Sequence, residues 1–305
     1  MLNPLQLQTL QAVLRTGSFA DAARELGYTG SAVSQQIAAL ERATRTELFE
    51  RSAHGVTPTP MAHFIVERAD QVLGQLRTLE DDIVLRQRGT VGRIRLGTFP
   101  TAAERLLPAA LSRFGYTHPG VAVHLTEGEP NELFGLLQAH ELDLALIYRY
   151  GAVPTKVPRD FEAVQVLREG LYLLLPQTHP LSGGGITVED LQAESWITAR
   201  AGTAGASTLR RLCADAGFEP TIAHRSNNYG VVHGLVAAGL GIAVVPELSL
   251  RPVDGVTSVR LDAERAYRDV LAVRSPMLPD GSWDGLLSAF RSGDFRPARG
   301  EWTTG

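Results

Sequence analysis

Apolar positions in the first part of the chain recur with the period of helices. Leu2, Leu5, Leu7, Leu10, Val13 and Leu14 form one stripe, which Gly17 ends. Phe19, Ala22, Ala23 and Leu26 form a second, and Val33, Ile37 and Leu40 a third. Ser18 predicts an N-cap, because its hydroxyl accepts a free backbone N–H. Gly27 predicts a helix end, because glycine enters the left-handed region cheaply. After the turn Tyr28-Thr29-Gly30, Ser31 is expected to open the next helix. Two helices joined by a short turn containing Gly make the helix-turn-helix pattern. The first stripe then packs behind the pair and closes a trihelical core. The outward positions of the second motif helix are Ser31, Ser34, Gln35 and Gln36, short donors and acceptors suited to base edges and phosphates. An αα-hairpin of an ordinary core shares this pattern, so the flanking segments decide between the two readings.

The segment from Phe49 to Pro58 is polar, contains Gly55 and is bounded by Phe49 and Val56. It predicts a short hairpin, a wing, with Arg51 placed to touch a phosphate. Thr59-Pro60 then predicts a helix start, with Thr as cap and Pro in the first turn. Ile65, Ala69, Val72, Leu76, Leu79 and Ile83 follow in alternating steps of four and three, a heptad seam that packs on another helix. The other faces of this helix are polar, which favours a dimerising linker over a core helix.

Beyond the break at residues 87–92 the pattern alternates between strands and helices. Strands are expected at 94–98, 121–125 and 142–148, with helices at 100–114 and 131–139 between them. A second such unit starts near Leu167. It has strands at 171–175, 195–198 and 242–245, a short helix at 187–191 and longer helices at 207–216 and 229–239. The chain returns through a strand at 269–274 and a helix at 282–292. This is βαβ logic and a mostly parallel sheet. Two α/β lobes crossed twice by the chain enclose a cleft, and ligands enter such folds at the carboxyl ends of strands and at helix N-termini.

Composition changes this picture in a few places only. A length of 305 residues predicts two or three units. The net charge of -4 gives no nucleic-acid footprint, and acidic and basic residues cancel within the first 58 as well. Phosphate contacts then fall to a local basic edge at Arg42, Arg45 and Arg51. Cys213 is the single cysteine, so a disulfide switch within the chain is excluded and a small core residue is expected. The apolar run from Gly234 to Pro246 is too short to span a bilayer, and the N-terminus has no signal pattern. A cytoplasmic protein without a membrane partner is expected. Gly239-Leu240-Gly241 brushes against a dinucleotide fingerprint, but a helix precedes it and a strand follows, the reverse of the required order. The histidines show no paired metal spacing, and no grouping of Ser, His and Asp marks an enzyme. The expectation is therefore no catalytic residue, no metal and no cofactor.

The order of parts resembles the LysR-type transcriptional regulators from end to end. The SFADAARELGYTGSAVSQQIAALE segment carries the family's paired alanines, its SxVSxQI run and the closing Leu40-Glu41. FERSAHGVTPTPMA is similar to the family's wing segment. EGEPNELFGLLQAHELDLALI, Thr178-His179-Pro180-Leu181 and LVAAGLGIAVVPE follow in the family's order. His140 stands where the family has Gly, and Ala38 and Ala39 where many relatives have basic residues.

The fold class implied is α/β: an N-terminal winged helix-turn-helix (1–58), a long linker or dimerisation helix (59–88) and a C-terminal two-lobed, periplasmic-binding-protein-like effector domain (89–305). Lobe I takes about 89–164 and 267–305, lobe II about 165–266. The resemblance implies a regulator that binds double-stranded DNA, takes a small-molecule effector and assembles as a homodimer or homotetramer, with RNA polymerase as a further partner. Ser31, Ser34, Gln35, Gln36 and Arg51 would contact DNA. By position, Thr98, Phe99, Pro100, Thr101, Tyr148 and Arg149 would line the effector cleft from one lobe, and Thr198, Arg200, Thr203 and Asn227 from the other. Hydroxyls, a helix start and arginines suit a small acid. Glu127 and Glu129 would repel one if they faced the cleft, which ranks a cationic or neutral ligand second. The alternative reading is a solute-binding or catalytic α/β protein with an incidental helical domain.

Overall fold

Caps and glycines fix the amino-terminal helices. The computed structural model describes residues 2–52, 55–87, 92–153, 157–181, 186–276, 278 and 280–291. In it α1 (Pro4–Thr16), α2 (Phe19–Leu26) and α3 (Gly30–Thr44) follow the three apolar stripes. The Ser18 hydroxyl accepts the Asp21 N–H at 3.3 Å. Gly27 ends α2 at φ 70°, a left-handed conformation that costs a side chain strain. The start of α3 differs from expectation. Thr29 is the cap, its hydroxyl accepting the Ala32 N–H at 3.2 Å, and Ser31 lies inside the first turn. Leu10, Val13, Ala22, Val33, Ile37 and Leu40 are buried together with Leu48 and Phe49. The wing is an antiparallel hairpin of β1 (Phe49–Ser52) and β2 (Gly55–Pro58), with Arg51 opposite Val56.

Thr59 caps α4 (Pro60–Gln87), accepting the Ala62 N–H at 3.3 Å. The heptad seam of this helix divides. Ala69 is buried, and Ile65 and Leu76 pack partly against the trihelical core, which also takes Ala62 and Leu73. Val72, Leu79 and Ile83 are 47%, 56% and 50% exposed. One apolar stripe thus supports the trihelical core, and a second, Val72, Leu79 and Ile83, stays exposed.

By its internal contacts the chain divides into two units, Met1–Arg93 with Gly135–Glu141, and Ile94–Phe134 with Leu142–Gly305. The α/β part begins with β3 (Gly92–Thr98), α5 (Pro100–Arg105) and α6 (Leu107–Thr117). The last two were expected as one helix. Pro108 breaks it, because a proline lacks the N–H and its ring clashes with the carbonyl four residues back. β4 (Val121–Glu127), α7 (Pro130–Gln138) and β5 (Leu144–Tyr150) follow. His140 adopts φ 54°, the left-handed conformation that a Gly at this position would take without strain.

β6 (Glu162–Pro176) is far longer than the predicted strand at 171–175. Then come β7 (Ser195–Thr198), α8 (Ala204–Asp215), β8 (Thr221–Arg225), α9 (Tyr229–Ala237) and β9 (Ile242–Pro246). β10 (Val256–Arg260), β11 (Tyr267–Arg274) and α10 (Asp280–Arg291) complete the order. The short helix expected at 187–191 is a single 3-10 turn, Glu189–Leu191. β8 and β10 escape a sequence reading because they are short and largely solvated on one face.

Among the described residues nine strands join in one sheet. The path is β4-β3-β5-β11-β6-β9-β7-β8, with β10 also paired to β6. The expected mostly parallel sheet is in fact mixed. β3 with β5, β7 with β8 and β7 with β9 are parallel, but β11 and β6 run antiparallel to every partner given for them. The reason is β6: its first part pairs with β11, its second with β9 and β10, so one strand serves both lobes. Gly241, in the GLGIAVV run, has φ 145°, and a Cβ there would meet the Ser195 carbonyl oxygen at 2.6 Å. Its glycine serves close packing against β7 and no phosphate. No described helix is long and apolar enough to cross a membrane.

Candidate functional site

In the amino-terminal unit the buried stripe of α3 faces inward, and the positions between its residues define the outer face. Ser31 and Gln35 are exposed, and Ser34 and Gln36 are half-buried. The Ser31 and Thr29 hydroxyls lie 3.0 Å apart, so Ser31 is tied to the helix cap. Glu41, which closes the motif, accepts the Leu48 N–H at 2.9 Å and fixes the entry to the wing. Arg42 and Arg45 are exposed at the carboxyl end of α3. Arg51 sits in β1, but its side chain lies outside the described residues.

In the α/β unit a small cavity of about 50 Å³ opens between the two halves of the sheet. Phe99, Pro100 and Thr101 enter at the start of α5, Tyr148 and Tyr150 from β5, and Arg268 from β11. The opposite wall holds Thr198 at the end of β7, Thr203 and Gly205 at the start of α8, and Asn227 and Tyr229 at the start of α9. The Tyr148 hydroxyl donates to Glu129 at 2.5 Å, and burial first, then Tyr150 and Glu129, push its pKa up. A second concavity adjoins the mouth, sharing Pro100, Thr101, Asn227 and Tyr229 with the cavity and adding Glu104, Glu127, Arg200 and Arg251.

Seven of the ten residues expected at the cleft line this cavity. The other three are placed differently. Thr98 is fully buried in β3 and is not part of the lining; its carbonyl accepts the Gly128 N–H at 2.9 Å. Arg200 lines the mouth and not the cavity itself. Arg149 is a correction. Successive strand residues point to opposite faces, so with Tyr148 in the cavity Arg149 must leave it. It pairs with Asp269 at 3.1 Å and borders a separate concavity with Pro158 and Arg159.

The cation that does reach the cavity is Arg268, which the sequence reading missed. It is 1% exposed. Its Nε donates to Glu169 at 2.6 Å and its Nη2 to the Thr101 hydroxyl at 2.9 Å. Glu169 in turn accepts the Leu248 N–H at 2.6 Å. The guanidinium lies 5.0 Å from the ring centroids of both Phe99 and Tyr148. Burial works against the charge on Arg268, but Glu169, Tyr150 and Tyr229 together outweigh it and push its pKa up. A signal did exist: Arg268-Asp269 interrupts an otherwise apolar strand, and a charge there needs a partner.

A winged helix-turn-helix in the same chain as an α/β unit with a polar-lined cleft defines a ligand-responsive DNA-binding regulator. Residues 87–279 match the model of the LysR substrate binding domain, and residues 5–63 that of the bacterial regulatory helix-turn-helix proteins of the lysR family. The chain belongs to the LysR family of transcriptional regulators. The probable HTH-type transcriptional regulator LrrA of Synechococcus elongatus is 30% identical over 253 residues, 83% of each protein. The HTH-type transcriptional regulator CbbR of Sinorhizobium medicae is 33% identical over 244 residues, 79% of this chain and 75% of that one. Full-length CbnR in complex with its target DNA shares the fold at a TM-score of 0.64 and 24% identity, over 95% of this chain and 99% of that one. HinK of Pseudomonas aeruginosa does so at 0.58 and 24%, over 95% and 98%. The family and these relatives are regulators of transcription and not enzymes.

Proposed function

We propose that this regulator works in the cytoplasm, reads its operator through Ser31, Ser34, Gln35 and Gln36 of α3, and holds the flanking backbone with Arg51. The side chains on α3 are short, so the helix would have to sit deep in the major groove. Arg42 and Arg45 add phosphate affinity, which the near-neutral amino-terminal unit otherwise lacks. The exposed stripe of Val72, Leu79 and Ile83 on α4 supports a homodimer, and the family's architecture a homotetramer; RNA polymerase is the partner through which activation would run.

The α/β cleft takes a small-molecule effector, contacted by Phe99, Pro100, Thr101, Tyr148, Thr198, Thr203, Asn227 and Arg268, with Arg200 at the mouth. Arg149 and Thr98 are left out of this set. The observation that carries the effector reading is the cavity itself: a buried guanidinium, three helix starts and four aromatic rings converge on space no side chain fills. An effector that favours one setting of the two lobes would bias operator binding, and by linkage DNA would alter effector affinity by the same factor.

The test is binding of the full chain to DNA from just upstream of its own gene, titrated with salt against a scrambled control. Tight, sequence-dependent binding is expected. Gln35→Ala should relax base preference, whereas Arg51→Ala should weaken all sequences alike and flatten the salt dependence. Unchanged preference in Gln35→Ala with merely weaker binding contradicts the assigned role.

A further inference from the structure

The two walls of the cleft and its mouth differ in the sign of their charge. Glu104 of α5, Glu127 at the end of β4 and Glu129 before α7 stand on the wall built by the first half of the sheet. Arg200 after β7 and Arg251 beyond β9 stand on the other, beside the positive amino ends of α8 and α9. Arg251 lies against the first turn of α9, where a Cβ on Gly230 would come within 2.9 Å of its Nη2. Among the described residues the side chains of Glu104, Glu127, Arg200 and Arg251 have no ion-pair partner, although each borders the same concavity. Thr198 presents a further polar group to the cavity. It is 8% exposed, lines the cavity, and its hydroxyl makes no hydrogen bond among the described residues.

We propose that the effector is a zwitterion of the α-amino acid type. Its ammonium group faces Glu127 and Glu129, its carboxylate faces Arg251, Thr198 and the amino ends of α8 and α9, and its apolar body enters among Phe99, Tyr148, Ile197 and Val232. The proposal rests on the cleft being the effector site. A plain acid gains from the basic wall but must approach three carboxylates. A plain amine meets the reverse penalty. Only a dipolar ligand is complementary to both walls, and selection against each half-ligand comes from like-charge repulsion as much as from attraction. Arg268 adds little preference for an acid, because Glu169 at 2.6 Å balances its charge and its Nη2 donates to the Thr101 hydroxyl.

The test is calorimetric titration of the full chain with the common L-amino acids. The tightest is then compared with its deaminated acid and its decarboxylated amine. The zwitterion is expected to bind at least about tenfold more tightly than either half. Glu127→Gln combined with Glu129→Gln should erase that advantage over the acid while leaving binding of the acid itself unchanged or stronger. A purely structural role for these carboxylates would instead weaken both ligands alike and overturn the assignment. An acid that binds wild type as tightly as the amino acid also overturns it, as does a chain that binds operator DNA but no amino acid. Absence of sequence-dependent DNA binding strikes the underlying regulator reading instead, so the two failures are distinguishable.

Discussion

β6 and β11 carry two ionic networks on opposite faces of the sheet, one residue apart. Toward the cavity, Glu169 and Arg268 meet at 2.6 Å with side chains 0% and 2% exposed. On the other face Asp269 is equally buried at 2%, but its partners Arg168 and Arg149 are 53% and 41% exposed. The sequence writes both as an acid beside an arginine on the same two strands. Their energetics differ because of solvent. Removing one partner of a fully desolvated pair strands the other without water. Removing an arginine from the open face leaves a carboxylate that a second guanidinium still serves. The first network can therefore couple the cavity to the strands that link both halves of the sheet, through Thr101, Arg268, Glu169 and the Leu248 N–H. The second contributes to the sheet surface and little else.

The sharpest way to break this contrast is Arg268→Met. It should cost about 3–5 kcal/mol in denaturant unfolding, because Glu169 is left buried and unpaired. The double change with Glu169→Leu should recover most of that loss, and a double variant no more stable than the single one would contradict the argument. Asp269→Asn comes next, at about 1–2 kcal/mol, since one buried acceptor of charged hydrogen bonds weakens while both arginines remain hydrated. Arg168→Ala should fall below about 1 kcal/mol in the same assay, and a larger loss would mean its stacking at 4.1 Å over Tyr267 matters more than solvent screening allows.

The smallest effect concerns pH. His233 is 1% exposed, and burial, assisted by Arg251, lowers its pKa below the usual 6.5 although its hydrogen bond to the Ser249 carbonyl opposes this. The unfolded chain then binds the proton first. Its contribution to stability is present above pH 6.5 and is lost as pH falls toward the depressed folded value. His233→Gln should flatten the thermal unfolding midpoint across that window, and an unchanged slope would assign it to other groups.

Legibility from sequence followed range. Caps at Ser18 and Thr59, the left-handed turn at Gly27 and the wing were readable because each depends on a few neighbouring residues. Tyr148 and Thr101 were found for the same reason, as positions following a strand or opening a helix. Arg149 was misplaced because the alternation of a strand says which residues share a face but not which face meets the cavity. Arg268 and Glu169 lie 99 residues apart, and only the pairing of β11 with β6 makes them partners. Cys213 was read correctly as core; burial first, then Glu219, push its thiol up to about 12, where it stays protonated.

By itself the sequence determined the winged helix-turn-helix, the long linker helix, the alternation of strands and helices beyond it and, through the order of its motifs, the family. Those properties are periodic or local, and hydrophobic patterning with capping chemistry encodes them along the chain. The tertiary structure alone decided that the sheet is mixed, that the seam of α4 divides between core and solvent, and that Arg268 is the cation in the cavity. It also decided that the cleft bears carboxylates on one wall and arginines on the other. Each of these depends on which distant segments pair, and on how much water they leave between them.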